Sequence, residues 1–501
     1  MESLVTAYLS QNLLCSCEDR QESSISRKIL CITLTSISFR TFQTCLCPHW
    51  PANLIAQGLF PCAPTNPRTA FGTDVLELFY NVYTEGPISK RGFAEGLRRF
   101  HQTRQSQEFS EFRKHFYNAW TYWNEVRERA KVQWSQWVFQ HTSERTGNNE
   151  LENLCPSCFF HEKQPLVDNE MSDKSPAVFI GLDGNFQYHR LQHGHGSAQS
   201  YEKLSTSIFI ASTAVVEDST EPPLELDTSP CSYHFSASDK PKSFEMYDDT
   251  GLLATVCHHG IPLWYLSIYQ GEQFIDVAHL LCSVMNEMPS NQVFHITYDI
   301  GYHLEPYFCT HYPDFHNRIV FMINTFHAYA HEMKCQVQFG PKYTEGGGET
   351  DGEGPERHWS TLAPLVSAGR VSSAPRRRQA IHIVGQSFAQ KLRESLPRLL
   401  KVRFLRALDH LNTATEDLSN LQNGLRKNDT TGNMEPFPEH ERGVVHNPYT
   451  NRAEQLNVEF LDQQVLLQKR FFQTIPGKAE IKCHGSNSAP YLTSIKQVES
   501  R

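Results

Sequence analysis

Four carboxylates stand where a folded backbone can aim them at one point. Asp183 closes the apolar run AVFIGLDG, Asp299 closes VFHITYDI, and Glu353 and Glu356 lie in GEGPERHW. Short apolar runs bounded by turn residues predict strands, and Gly354-Pro355 predicts the start of a helix that carries Glu356. Acids at the ends of two core strands and on a later helix can converge, and such a set holds two divalent cations for in-line phosphoryl transfer. Oxygen ligands of this kind favour Mg²⁺ or Mn²⁺ over zinc. Two plainer readings stand beside this one. Asp-Gly-Asn suits a hairpin turn, and TDGEGPE has the composition of a solvated acidic loop.

A second chemistry is written in sulfur and imidazole. Cys155 and Cys158, in CPSC, have the spacing that lets two thiolates reach one tetrahedral zinc, and a second pair is needed to close the site. The candidates are Cys257 with His258 or His259 in VCHHG, and His327, His331 and Cys335 in FHAYAHEMKC, which share one face if that stretch is helical. Hydrogen-bonded core histidines and small buried thiols are the alternative for each. Nearer the N-terminus, Cys31, Cys45, Cys47 and His49 make a further cysteine-rich stretch. Phosphate contacts are expected from ISKRGF, GLRRFHQTRQ and Arg376, Arg377 and Arg378 in APRRRQ, although each is equally a solvated face. Arg357 and His358 could touch phosphates or orient water. Trp359 could stack on an unpaired base or pack into the core.

The elements that must position these residues follow from pattern and composition. The 501-residue chain has room for two or three domains, and its net charge of −9 excludes a uniformly basic nucleic-acid coat but not a local basic groove. Its N-terminus, MESLVTAYLSQNLLCSC, lacks a basic n-region, and no apolar run is long enough to cross a bilayer. A soluble intracellular protein is expected, with its 14 cysteines reduced or bound to zinc. Residues 71–142 carry apolar and aromatic residues at helical spacing. Strand-like and helical runs mix over 177–370, with HNRIVFMINTFHAYAHEM read as a helix and CQVQF as a strand. An amphipathic helical stretch interrupted at Pro397 follows, then a second helix candidate, AEQLNVEFLDQQVLLQKRFF, and a tail.

The order of GLFPCAPTNPRTAF, NLCPSCFF, LDGNFQYHRL, SYHFSAS, TGLLATVCHHGIPLWYLSIYQGEQF, TYDIGYHLEPYF, FHAYAHEMKCQVQFGPKY and TDGEGPERHWSTLAPLV resembles that of the KDZ (Kyakuja–Dileera–Zisupton) transposases, a family abundant in fungal genomes. The resemblance implies an α/β, RNase H-like core with a DDE triad. Asp183 would be the first acid, Asp299 the second, and Glu356 the third, with Glu353 a close competitor and Asp351 a distant one. It further implies Mg²⁺ or Mn²⁺ at the acids, structural Zn²⁺, transposon-end and target DNA as partners, a homo-oligomer on DNA, and a nuclear site of action. The domains then read as a cysteine-cluster (CxC-like) remnant over 1–68, a helical region over 69–150, the transposase core over 151–370, C-terminal helices over 371–480 and a tail over 481–501. One departure stands out. Relatives usually carry a cysteine just after YDI, where this chain has Gly301-Tyr302. A catalytically inactive, transposase-derived DNA-binding or zinc-binding protein is therefore the alternative.

Overall fold

The computed structural model describes residues 25–47, 49–86, 88–102, 111–141, 154–159, 177–192, 208–210, 246–269, 271–328, 331, 333–422, 425–427 and 434–436. The expected motif SYHFSAS, the two ends of NLCPSCFF, the helix AEQLNVEFLDQQVLLQKRFF and the tail lie outside these residues.

The cysteine-rich N-terminal stretch, irregular in sequence, forms a sheet. Strands β1 (Ile25–Ile32), β2 (Ile37–Thr44), β3 (Leu59–Pro61) and β4 (Thr69–Gly72) lie in the order β2-β1-β4-β3. β1 pairs antiparallel with β2 and parallel with β4. The helices Thr73–Glu85, Lys90–Gln102 and Phe112–His141 cover it, as their spacing predicts. Aromatic side chains dominate that junction. The Phe71 and Phe116 rings meet edge to face at 5.5 Å, and those of Phe79 and Trp120 at 4.6 Å. Ile32 on β1, Phe60 on β3 and Phe79 on the first helix share one core.

The second sheet holds β5 (Val178–Asn185), β7 (Phe209–Ile210), β9 (Gly251–Cys257), β10 (Pro262–Ile268), β11 (Phe294–Thr297) and β12 (Ile319–Met322), in the order β12-β11-β5-β9-β10-β7. A small pair, β6 (Arg190–Leu191) with β8 (Tyr247–Asp249), lies beside it. β5 is the pivot: it runs antiparallel to β9 and parallel to β11, which is itself parallel to β12. Both β9 and β10 are buried along their whole length, which is why GLLATVC and PLWYLSI read as unbroken apolar runs. The protein is therefore α/β, with mixed sheets flanked by helices.

Three elements differ from expectation. HNRIVFMINTFHAYAHEM is not one helix: its β-branched IVFM forms β12 against β11, and only Thr325–Ala328 turns helical. CQVQF, whose alternation suggests a strand, lies within the helix Met333–Phe339. Cys335 and Phe339 are four apart as well as even-spaced, and both are buried with Tyr302 and Ile323. Finally, Pro397 does not interrupt the C-terminal stretch, and a 49-residue helix, Ala374–Gln422, runs through it. A proline there removes one helical hydrogen bond to the carbonyl four residues back, and the turns that precede it are held by packing. Ile383 joins the N-terminal core, while Ile381, Val384 and Leu396 join the main one.

Candidate active site and a sulfur cluster

Register brings the first two acids together. In the parallel pair β5–β11, Thr297 lies opposite Gly181 at the last paired position, so Asp299 follows the end of β11 on the side toward which β5 continues to Asp183. The third acidic segment is held by sterics. A Cβ at Gly181 would lie 2.9 Å from Pro355 Cδ, so the absence of a side chain there lets the proline at the start of helix Gly354–Leu362 rest on β5. Gly352 has φ +73°, and a Cβ there would lie 2.9 Å from Thr297 Cβ. The glycine-rich approach is thus a tight packing segment as well as a turn. Asp351 Oδ1 accepts from the Glu353 N–H at 3.0 Å, and Arg357 Nη1 donates to Asp351 Oδ2 at 2.7 Å. These bonds make Asp351 a support for the helix start.

His327 stands among the acids. Its Nδ1 lies 3.6 Å from Asp299 Oδ1 and its Nε2 3.6 Å from Glu356 Oε1. Burial alone would lower its pKa. The Glu356 carboxylate, with the charges of Asp299, Glu353 and Asp183, outweighs burial and raises it to about 10. An imidazolium therefore occupies the gap between two carboxylates, where a cation is electrostatically favoured. His331 Nε2 donates to Asp299 Oδ1 at 3.0 Å.

Asp183 is enclosed. Burial, then the nearby Glu356 charge, push its pKa well above the carboxylate range, while the Trp359 indole N–H donates to its Oδ2 at 2.6 Å. Glu353 is buried, with Oε1 accepting from the Phe326 N–H at 3.0 Å and Oε2 enclosed without a hydrogen-bond partner. Burial raises its pKa to about 7. Glu356 is more open and faces His327.

Sequence reasoning missed Glu272. Its carboxylate lies against β5, where a Cβ at Gly184 would meet Oε2 at 3.0 Å, and its Oε1 accepts from the Tyr298 hydroxyl at 2.6 Å. Burial raises it to about 7, and its charge reaches Asp183. The available signal was an acid directly after a strand-like apolar run, in YQGEQF.

The expected zinc ligands divide. Cys155, Cys158, Cys257 and His259 place their ligand atoms within 4.8 Å of one another. His327 and His331 are not with them, because both turn to Asp299. Cys335 sits in the apolar cluster with Tyr302, whose ring packs edge-on to His331 at 5.4 Å. Cys45 and Cys47 hold their sulfurs 2.8 Å apart at the edge of the N-terminal core.

Two expected DNA contacts are corrected. Trp359 is buried, with its indole spent on Asp183. Arg377 is buried in an ion pair with Asp249 at 2.5 Å and also donates to the Tyr188 carbonyl. Successive helical residues point about 100° apart, so the middle of three arginines turns inward while its neighbours do not. Arg378 donates to the Tyr269 hydroxyl at 3.4 Å, Arg376 remains half-exposed, and Arg357 is exposed beside Asp351. His358 is also internal, 2.5 Å from the Tyr265 hydroxyl.

Residues 176–387 match the family model described as Kyakuja-Dileera-Zisupton transposase. Residues 4–107 match the CxC1 like cysteine cluster associated with KDZ transposases. Both matches support placing the chain with the KDZ transposases. No curated protein and no solved structure matches it. Among the described residues, no helix is long and apolar enough to cross a membrane.

Proposed function

We propose that this chain is a DDE-type DNA transposase with an RNase H-like core and a catalytic acidic centre of Asp183, Asp299 and Glu356. The observation that carries the reading is His327, 3.6 Å from both Asp299 Oδ1 and Glu356 Oε1, with helix Gly354–Leu362 resting its acidic start at Gly181 against β5, the strand that holds Asp183. A sheet whose antiparallel and parallel halves meet at the acid-bearing strand supports the RNase H-like assignment.

The donors fit a divalent cation. Asp183, Asp299 and Glu356 offer carboxylate oxygens, and an imidazolium already stands between Asp299 and Glu356. Asp183, Asp299 and Glu356 would hold Mg²⁺ or Mn²⁺, which when bound supplies an activated water and charge neutralisation for in-line phosphoryl transfer. Trp359 fixes the Asp183 carboxylate, and His331 fixes that of Asp299. Glu353 ties down the Phe326 amide and with it the turn that presents His327. Water would cut at the element end, and the freed 3′-OH would attack target DNA, with no covalent protein–DNA intermediate. Transposon ends and target DNA are then its partners, with action as a homo-oligomer in the nucleus.

The test is strand cleavage of a labelled DNA end taken from the flanks of the chain's own genomic copy. Cleavage should require Mg²⁺ or Mn²⁺, stop with chelator and vanish in Asp299→Ala. Glu356→Gln should abolish it, while Glu353→Gln should leave a residual rate. No cleavage under any metal, with DNA binding retained, would replace this reading with an inactive DNA-binding protein.

A further inference from the structure

A cluster of three thiols and an imidazole lies apart from the acids, and its members come from distant parts of the chain. Cys155 and Cys158 sit in the short segment 154–159, whereas Cys257 ends β9 and His259 lies in the turn that follows. His259 Nδ1 is 3.5 Å from Cys155 Sγ and 3.1 Å from Cys158 Sγ, across 104 and 101 residues of sequence. We propose that Cys155, Cys158, Cys257 and His259 bind one zinc ion as a closed, structural site that fastens segment 154–159 to the transposase core.

The chemistry favours this ion. Ligands on a tetrahedron with Zn–S about 2.3 Å and Zn–N about 2.0–2.1 Å stand roughly 3.5–3.8 Å from one another. The two His259 separations, 3.5 and 3.1 Å, need to change by no more than ~0.5 Å to close on a centre. Thiolate and imidazole donors select zinc over the hard cations suited to carboxylates. Four protein ligands leave no open position, so the site holds structure and does no chemistry of its own. Three thiolates around one Zn²⁺ carry a net negative charge, and two guanidinium groups of the long helix Ala374–Gln422 flank it. Arg393 Nη1 donates to the Leu154 carbonyl at 3.1 Å, and Arg403 Nη1 to the His258 carbonyl at 3.3 Å. One helix thus braces both halves of the cluster.

Its position gives it a task. Cys155 and Cys158 fall between the two matched family segments, 4–107 and 176–387, while Cys257 and His259 fall inside the second. The metal therefore ties the connecting segment to the core. It also backs the acidic helix: a Cβ at Gly354 would lie 3.1 Å from Val256 Cγ1 and 3.7 Å from the Cys257 carbonyl oxygen. The zinc assignment holds whether or not the acids cut DNA.

The experiment is metal analysis of the full-length chain, purified anaerobically without chelator. The double variant Cys155→Ser/Cys158→Ser should contain one zinc equivalent fewer than wild type, and Cys45→Ser/Cys47→Ser should retain that equivalent. Equal zinc content in the wild type and the Cys155/Cys158 variant would overturn the proposal, as would a mapped Cys155–Cys158 disulfide in the native protein. Should the double variant fail to fold, Co²⁺ substitution of wild type and His259→Cys decides. The variant should keep the metal with a spectrum shifted toward four thiolates, and an unchanged spectrum would overturn the ligand set.

Discussion

The Trp359 indole nitrogen lies 2.6 Å from Asp183 Oδ2, so an aromatic residue that its sequence offers to DNA bases instead holds the first acid of the proposed centre. The two residues are 176 positions apart, and they meet because helix Gly354–Leu362 starts on β5 and points Trp359 one turn along it. A Trp359→Phe variant keeps most of the ring and loses only the donor. The expected stability loss is about 1–3 kcal/mol, the cost of leaving a buried acceptor without its partner. Turnover should fall at least about tenfold with little change in KM, since a factor of ten corresponds to about 1.4 kcal/mol. Calorimetry and cleavage kinetics measured together check both numbers.

Gly181 and Pro355 give a sharper test of the same geometry. Gly181→Ala places a methyl group 2.9 Å from Pro355 Cδ, and neither the strand nor the ring can easily give way. Overpacking of this kind costs about 1–3 kcal/mol. The displaced element carries Glu353 and Glu356, so cleavage should fall by more than the unfolded fraction accounts for. Measuring activity at a temperature where the variant remains folded separates the two effects.

Of the proposed centre, the sequence displays the acids and the order of their segments. Asp183, Asp299 and the GEGPERHW acids were legible because each closes an apolar run or precedes a Gly-Pro helix start. What stayed hidden depends on side-chain direction and on long-range partners. Nothing local in APRRRQ tells that Arg377 turns inward to Asp249, since the ion pair spans 128 residues. Likewise, the spacing of His327 and His331 suggests zinc as readily as carboxylate contacts, and only the placement of Asp299 and Glu356 decides. The CQVQF segment fits two periods at once, and burial of Cys335 and Phe339 on one helical face selected between them.

Arg377 therefore makes a negative prediction about DNA. Replacing it with Met leaves Asp249 buried without that partner, and breaking a buried pair in this way costs about 3–5 kcal/mol. Arg377→Met should lower the melting temperature strongly while leaving the salt dependence of DNA binding unchanged in the folded fraction. Arg376→Ala should do the opposite, reducing the slope of log K against log salt by about one if it meets a phosphate. Thermal melts and binding titrations at several salt concentrations distinguish the two residues.

The pH dependence of the metal-free protein follows from three groups. Glu353 and Glu272, raised by burial to about 7, bind protons more tightly folded than unfolded. Each thus contributes stability that is present below the ordinary glutamate range and lost as pH rises through about 7. His327, raised to about 10 by the carboxylates around it, contributes stability present below an ordinary histidine pKa and lost only as pH rises through about 10. All three signs agree, so the stability of the metal-free chain should fall between pH 5 and 7, by on the order of 1–3 kcal/mol for each glutamate. A divalent cation among the carboxylates competes with those protons and with the His327 charge. Its stabilising effect should therefore grow over the same range, flattening or reversing the slope. Melting temperatures across this pH range, with Mg²⁺ and with chelator, should diverge as pH rises, and Glu353→Gln should remove part of the divergence. Parallel curves would mean that the acids do not bind the cation.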